Sequence, residues 1–175
     1  MTVFEKYFQE ISAIYQAGNA TEHSYRPALK NLIESLASGI QAINEPKRIQ
    51  CGSPDFLITQ ERLEIGYLEA KDIGTSLVEK TPQIIRYLQG LGNLILTDYL
   101  EFRWYLGGEI RLTATVATVD QKKHKLQMNP QAIQEASQLF EQFLKAKVTQ
   151  INNPQELAKR LANLAQLIRE AITTA

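Results

Sequence analysis

Apolar residues recur at helical spacing from the first positions of the chain. Phe4, Tyr7, Phe8, Ile11, Ile14 and Tyr15 predict an amphipathic helix over 3–16, ended near Gly18. The same period in Tyr25, Leu29, Leu32, Ile33, Leu36 and Ile40 predicts a second helix that opens within 21–26 and runs to 36 or 37. Pro27 is compatible only with its first turn, where backbone N–H groups have no intrahelical partner to lose, so the helix starts at or after Glu22. The period then falls to two. Residues 39–46 read as a loop or a fraying helix end, and 47–51 as a short alternating strand with Ile49 and Cys51 on one face. After the break at Gly52-Ser53-Pro54, residues 56–59 and 65–70 read as two strands joined by a tight turn at Gln60-Glu61-Arg62. Thr81 caps and Pro82 opens a helix whose Ile84, Ile85, Leu88 and Leu91 face the sheet, and Gly92 ends it.

Leu94 to Thr97 is apolar without alternation, as in a strand buried on both faces, and its place after a strand and a helix makes it parallel to 65–70. Asp98-Tyr99 turns the chain into 100–106. Gly107-Gly108 signals a hairpin into an alternating run over 110–119, and Trp104 is placed as an anchor on the outer face of the sheet. Residues 120–127 read as a polar turn. Two helices close the chain, over 130–147 and 155–172, the second with Asn153 as N-cap, Pro154 after it and Glu156 in its first turn. The fold class that follows is α/β (α+β): a central mixed sheet flanked by helices, with an extra hairpin and two C-terminal helices, in one domain over 1–175.

Composition narrows the function. A chain of 175 residues with 44% hydrophobic content buries a real core. Its 19 basic and 19 acidic residues cancel, which is unusual for an autonomous DNA-binding protein and implies weak DNA affinity without help from another domain or protomer. The single cysteine, Cys51, rules out an intrachain disulfide and fits a reducing, cytoplasmic setting. The N-terminal stretch has no signal-peptide pattern, and no run is long and apolar enough to span a membrane.

The chemistry concentrates in 53–71. If 56–59 and 65–70 pair as a hairpin around Gln60 to Leu63, Asp55 comes near Glu69 across the ladder, while Glu69 and Lys71 share a face and Ala70 points to the other. Two carboxylates and an ammonium then form one patch. Mg²⁺, or Mn²⁺ in its place, takes such oxygen ligands together with retained waters, and the backbone carbonyl of Ala70 is a third candidate ligand. The bland reading is a cross-strand ion pair of Glu69 with Lys71 on an exposed edge, and Asp55 as a turn residue. His23 and His124 stand alone without metal-ligand spacing, which argues against zinc.

Pro54-Asp55, thirteen intervening residues and Glu69-Ala70-Lys71 resemble the signature of the PD-(D/E)XK nuclease superfamily. Gln83-Ile-Ile-Arg-Tyr87 resembles the QxxxY motif that follows the core in RecB-like members. Thr21-Glu22-His23-Ser24-Tyr25-Arg26-Pro27 resembles the glutamate-bearing first helix of restriction-enzyme nuclease domains, and 93–105 their late hairpin. Together these cover about 20–110. The likeness is nearest to the N-terminal nuclease domain of Type ISP and Type IIG single-chain restriction-modification enzymes.

The resemblance implies a restriction-endonuclease-like core and a Mg²⁺-dependent endonuclease acting on double-stranded DNA. Its catalytic set would be Asp55, Glu69, Lys71, Gln83 and Glu22, and its metal ligands Asp55, Glu69 and Ala70. It also implies a methyltransferase or helicase domain or subunit as partner, with a homodimer as a further arrangement. Gln83 would approach the scissile phosphate or the metal waters, with Tyr87 behind it or on the DNA backbone. Glu22 has two readings: orienting a metal-bound water, or completing a capping box with Asn19. Arg26 either orients Glu22 or contacts a phosphate. Lys122 and Lys123, in the one dense basic run, are either phosphate contacts or a solvated turn. The alternative function is a non-catalytic DNA-binding or assembly module on the same fold, and a plain α/β domain without nucleic-acid function is a third reading.

Overall fold

Alternation along each strand decides which layer every side chain joins. A computed structural model describes residues 1–78 and 80–146, together with Leu157, Ala158, Leu161, Ala162, Ala165, Gln166, Ile168, Arg169 and Ile172, all of them helical. Six strands pair in chain order: β1 (Ile40–Asn44), β2 (Phe56–Gln60), β3 (Leu63–Ala70), β4 (Asn93–Thr97), β5 (Glu101–Leu106) and β6 (Glu109–Thr115). Neighbours are antiparallel except β3 and β4, which run parallel because helix α3 (Pro82–Gly90) carries the chain back between them. Phe56, Ile58, Leu68, Ala70, Ile95 and Phe102 form one core with Tyr7, Ile11, Leu29, Leu32, Phe140 and Phe143. Those partners come from α1 (Val3–Gln16), α2 (Glu22–Ser35) and α4 (Ala132–Lys145). On the opposite face Tyr67, Leu94, Leu96 and Tyr105 pack with Ile84 and Tyr87 of α3. The result is the expected mixed sheet flanked by helices, in keeping with a restriction-endonuclease-like core, plus a small hairpin of β7 (Ala117–Asp120) and β8 (Lys125–Met128). Among the described residues no helix is long and apolar enough to cross a membrane.

The strand register gathers chain ends at one rim. Asn44 pairs with Phe56, Phe56 with Leu68, Ala70 with Thr97, Thr97 with Phe102, and Glu101 with Thr115. The end of β1, the start of β2, the ends of β3 and β4, the start of β5 and the end of β6 therefore lie side by side. Ends of parallel strands are where open sheets leave room for ligands.

Turns obey the expected chemistry. Glu61 and Arg62 both take positive φ (49° and 67°) in the two-residue link of β2 to β3, and Gly107-Gly108 do the same between β5 and β6 (61° and 80°). Asn93 is buried and locks α4 to the sheet. Its Nδ2 donates to the carbonyls of Ile65 (3.0 Å) and Phe143 (3.0 Å), and its Oδ1 accepts from Trp104 Nε1 (2.7 Å).

Several boundaries differ from those read in the sequence. Residues 40–44 form an edge strand rather than a loop: Ile40 and Ala42 drop into the core, and Glu34 Oε1 accepts the Ala42 N–H at 3.0 Å. Glu34 thus caps the sheet edge as well as pairing with Lys30 at 3.4 Å. Residues 47–51 are a loop with a single bridge between Ile49 and Gly52, because the chain must double back for Glu45 N–H to reach the Asp55 carbonyl (2.8 Å). The run 110–119 is split at Val116, whose N–H leaves the ladder for the Leu100 carbonyl (2.8 Å). Part of the stretch read as a polar turn becomes β8. Trp104 lies inside the core and not on an outer face, held by its bond to Asn93. The first closing helix runs from Ala132 to Lys145. For the second, Asn153, Pro154, Glu156, Leu164 and Leu167 lie outside the described residues, as does Lys147.

Candidate active site

The rim assembles from elements far apart in the chain. Asp55 stands at the entry to β2, where its backbone carbonyl still pairs with Glu45. Its Oδ2 accepts the Ala70 N–H at 2.8 Å, clamping the start of β2 to the end of β3. Lys71 N–H donates to the Thr97 carbonyl at 2.8 Å, so the last residues of the β3 run stay in the sheet. Glu69 and Lys71 consequently lean to the α3 side while Ala70 is buried in the opposite core.

Glu69 is the centre of a polar network. Its Oε1 accepts from Lys71 Nζ (2.6 Å) and from Gln83 Nε2 (3.0 Å), and Lys71 Nζ also donates to Gln83 Oε1 (3.4 Å). Gln83 sits in the first turn of α3, whose start is fixed by Thr81 Oγ1 accepting the Ile84 N–H at 3.3 Å. One turn on, the Tyr87 hydroxyl accepts from Gln83 Nε2 at 3.3 Å. Tyr87 is buried against Gly52, where a Cβ would lie 2.8 Å from its Cε1. A residue with a side chain at Gly52 would displace that ring.

The Glu69 side chain is only 4% exposed, and its Oε2 has no hydrogen-bond partner. Burial, then the neighbouring charge of Asp55, push its carboxyl up to about 7, with the Lys71 hydrogen bond pulling the other way. Burial lowers the Lys71 ammonium, but Glu69 and then Asp55 and Glu22 more than offset this and raise it. Lys71 is thus held charged beside three acids.

Glu22 lies in the first turn of α2, and its Oε1 accepts from Arg26 NH2 at 3.2 Å. Asn19 plays no part in that helix start: Thr21 is the N-cap, and its N–H donates to Ser24 Oγ at 3.1 Å. The Glu22 carbonyl accepts from the Tyr99 hydroxyl at 2.8 Å, which ties α2 to the turn after β4. That turn is set by Asp98, whose Oδ1 accepts the N–H groups of Leu100 (3.1 Å) and Glu101 (2.7 Å). Asp98 Oδ2 accepts from Gly74 N–H (3.2 Å), anchoring the loop that follows Lys71.

Arg26 is buried, and its guanidinium spans Glu22, Asp55, Glu45 (2.9 Å) and Asn44 (3.5 Å). Six of the sequence candidates, with Ala70, thus meet at one rim: Glu22, Arg26, Asp55, Glu69, Lys71 and Gln83, with Tyr87 behind. Lys122 and Lys123 do not join them. They lie exposed in the β7–β8 turn, their N–H groups held by Asp120 Oδ1 at 3.1 Å each.

Glu45, Asn44 and Tyr99 went unread in the sequence, since each acts through a fold contact with no local motif. Lys47, Arg48 and Arg86 also escaped notice. They are exposed, without an ion-pair partner among the described residues. The loop carrying Lys47 and Arg48 lies on α3, where a Cβ at Gly90 would stand 2.8 Å from Cys51 Cβ and Arg86 influences the Cys51 thiol.

No family model matches the sequence, and no curated protein matches it. Solved structures do match. The chain is similar in fold to part of the DrdV–DNA complex determined by cryo-EM. The TM-score is 0.63 at 20% identity, over 83% of this chain and 14% of that one. The chain therefore spans about one seventh of its structural neighbour. At this identity the likeness shows a shared fold.

The donor set fits a hard cation. Asp55 and Glu69 supply hard oxygens, and a buried carboxylate oxygen with no donor is an atom that a cation would satisfy. Among the described residues no group of three or more acidic, His or Cys side chains is placed so that it could hold a metal ion, so water and backbone oxygen would complete the coordination.

Proposed function

We propose that this chain is a metal-dependent DNA endonuclease domain of the restriction-modification type and of the PD-(D/E)XK kind. The observation that carries the reading is the meeting of Asp55, Glu69 and Lys71 at a strand-end rim, with Glu69 Oε2 buried and unpartnered. A neighbour of the same fold was solved as a DNA complex, which supports DNA as the partner.

Asp55 and Glu69, with the Ala70 carbonyl, would hold Mg²⁺ or Mn²⁺, which when bound polarises a phosphate oxygen and lowers the pKa of a bound water. The chain's own residues do the rest. Lys71 stands charged next to Glu69 and stabilises negative charge that builds on the phosphate. Gln83 fixes the Lys71 and Glu69 head groups through its two amide atoms, and Tyr87 fixes Gln83. Glu22 reaches the rim from α2 as a further acceptor for an attacking water. Lys47, Arg48 and Arg86 would take up backbone phosphates beside the rim, a sequence-independent contact that positions the duplex. Sequence recognition then falls to a methyltransferase or helicase partner, or to a second protomer, in a cytoplasmic restriction system.

One observation favours a second reading. Arg26 already neutralises Asp55, so a DNA-binding or assembly module that uses a guanidinium in place of a metal is the alternative. Plasmid cleavage with and without Mg²⁺ tests the choice. Nicking or linearisation that requires Mg²⁺ and is absent in Glu69→Gln supports the nuclease. DNA retention without cleavage at any Mg²⁺ or Mn²⁺ concentration supports the module.

A further inference from the structure

Arg26 is the most heavily engaged cation at the rim. Its side chain is 8% exposed and is surrounded by three carboxylates, Glu22, Glu45 and Asp55. The contact to Asp55 falls on Oδ1, and Oδ2 is taken by the Ala70 N–H. Both oxygens of the first proposed metal ligand are therefore engaged, one by a neutral amide and one by a full positive charge. Charge explains the arrangement: Glu22, Asp55 and Glu69 lie at one rim, where the charge of Asp55 already raises the Glu69 carboxyl, and the guanidinium offsets part of that repulsion.

We propose that Arg26 is a resident counter-ion that holds Asp55 and Glu22 in place and competes with the divalent cation for Asp55. The proposal rests on the metal-site reading above and adds to it a residue that sets metal affinity. The guanidinium has somewhere to stay when displaced. NH1 remains on Glu45 and Asn44, and NH2 on Glu22, so losing Asp55 costs one of its contacts and leaves the others. Glu45 is 69% exposed and can follow the movement. Arg26 Nε is buried without a partner, so the side chain is placed by its carboxylates and Asn44 and not by a complete set of hydrogen bonds. Arg26 is on this account a positioning residue that acts through Asp55.

A merely structural arginine and a competing one predict opposite signs. If Arg26 only braces the rim, its removal disorders Asp55 and weakens metal binding. If it competes, its removal strengthens binding. Calorimetric titration of Mn²⁺ into the whole chain separates the two, with wild type, Arg26→Lys, Arg26→Gln and Glu69→Gln compared. The expected result is a Kd for Mn²⁺ about tenfold lower in Arg26→Gln, the loss of one charge-assisted competitor, with a lower melting temperature in the absence of metal. Arg26→Lys, which keeps the charge but reaches fewer carboxylates at once, falls between. An unchanged or raised Kd in either variant overturns the proposal.

Should Arg26→Gln fail to fold, Arg26→Lys and the wild-type guanidinium still decide. The Arg26 Nη signals in NMR are expected to show hindered rotation in metal-free protein and faster rotation as Mg²⁺ is added, and no change on addition counts against competition. If wild type binds no Mn²⁺ at all, the metal-site reading fails and this one with it. If wild type binds Mn²⁺, Glu69→Gln abolishes binding and Arg26→Lys leaves it unchanged, only the competition is wrong.

Discussion

Glu69 is asked to be charged in a place that resists charge. Its carboxyl is pushed up to about 7 by burial and by Asp55, against an ordinary value of 4.5. A folded-state value above the unfolded one means that the folded chain binds the proton more tightly. The resulting stability is fully present below about pH 4.3 and is lost as pH rises through about 7. Metal-free protein should therefore lose melting temperature relative to Glu69→Gln between about pH 4.5 and 7 and run parallel to it above. Calorimetry across that range checks the sign, and added Mg²⁺ should restore the loss at the alkaline end. Cleavage makes a second test at this scale. Asp55→Ala, Glu69→Ala and Lys71→Ala should each lower Mg²⁺-dependent cleavage by roughly 10²–10³-fold or more while circular dichroism stays native. Retained cleavage in all three would place the chemistry elsewhere. These three residues were legible because they bracket one hairpin. Arg26 was legible as a residue but not as the partner of Asp55 and Glu45, which lie 29 and 19 positions away.

At the scale of elements, long periodic segments declared themselves and short ones did not. Helices α1, α2 and α3 and the β2–β3, β5–β6 pairs followed from period and turn chemistry. The edge strand β1 and the hairpin strand β8 lack the continuous apolar run that marks the equally short β2 and β4, and each exists because a neighbour offers a free edge. The joint between α4 and the sheet is equally non-local. Asn93 bonds to Ile65, Phe143 and Trp104, and its loss removes a donor from two carbonyls and the acceptor of a buried indole N–H. Asn93→Ala should cost about 2–4 kcal/mol in urea unfolding. Gly66 lies under the same joint: a Cβ there would stand 2.7 Å from the Asn93 carbonyl oxygen and 2.9 Å from Phe143 Cε2. Gly66→Ala should destabilise by about 1–3 kcal/mol through overpacking, without touching the rim.

For the molecule as a whole, neutrality hides an uneven distribution of charge. Lys6, Arg26, Lys30, Lys71, Arg103, Arg111 and Lys145 are spent on acids, whereas Lys47, Arg48 and Arg86 are exposed on α3 and on the loop packed against it. If these three meet phosphates, Lys47→Ala, Arg48→Ala and Arg86→Ala together should flatten the plot of log K for DNA against log salt by about three, one for each contact. Lys122→Ala with Lys123→Ala should change that slope less, since both lie in the β7–β8 turn outside the Glu69 network. A slope that only the second pair alters would move the DNA path to the other flank.

The chain by itself determined its α+β class, the parallel crossover of β3 and β4, and the closeness of Asp55 to Glu69. Each of these depends on spacing within a hairpin or a single crossover, and period and turn residues encode such spacing directly. Only the tertiary structure decided that Glu45 and Tyr99 would join Glu22 and Arg26 at the rim and that Arg26 would sit on Asp55. Those contacts join elements far apart in the chain, where packing and charge balance choose the partner and no local pattern records the choice.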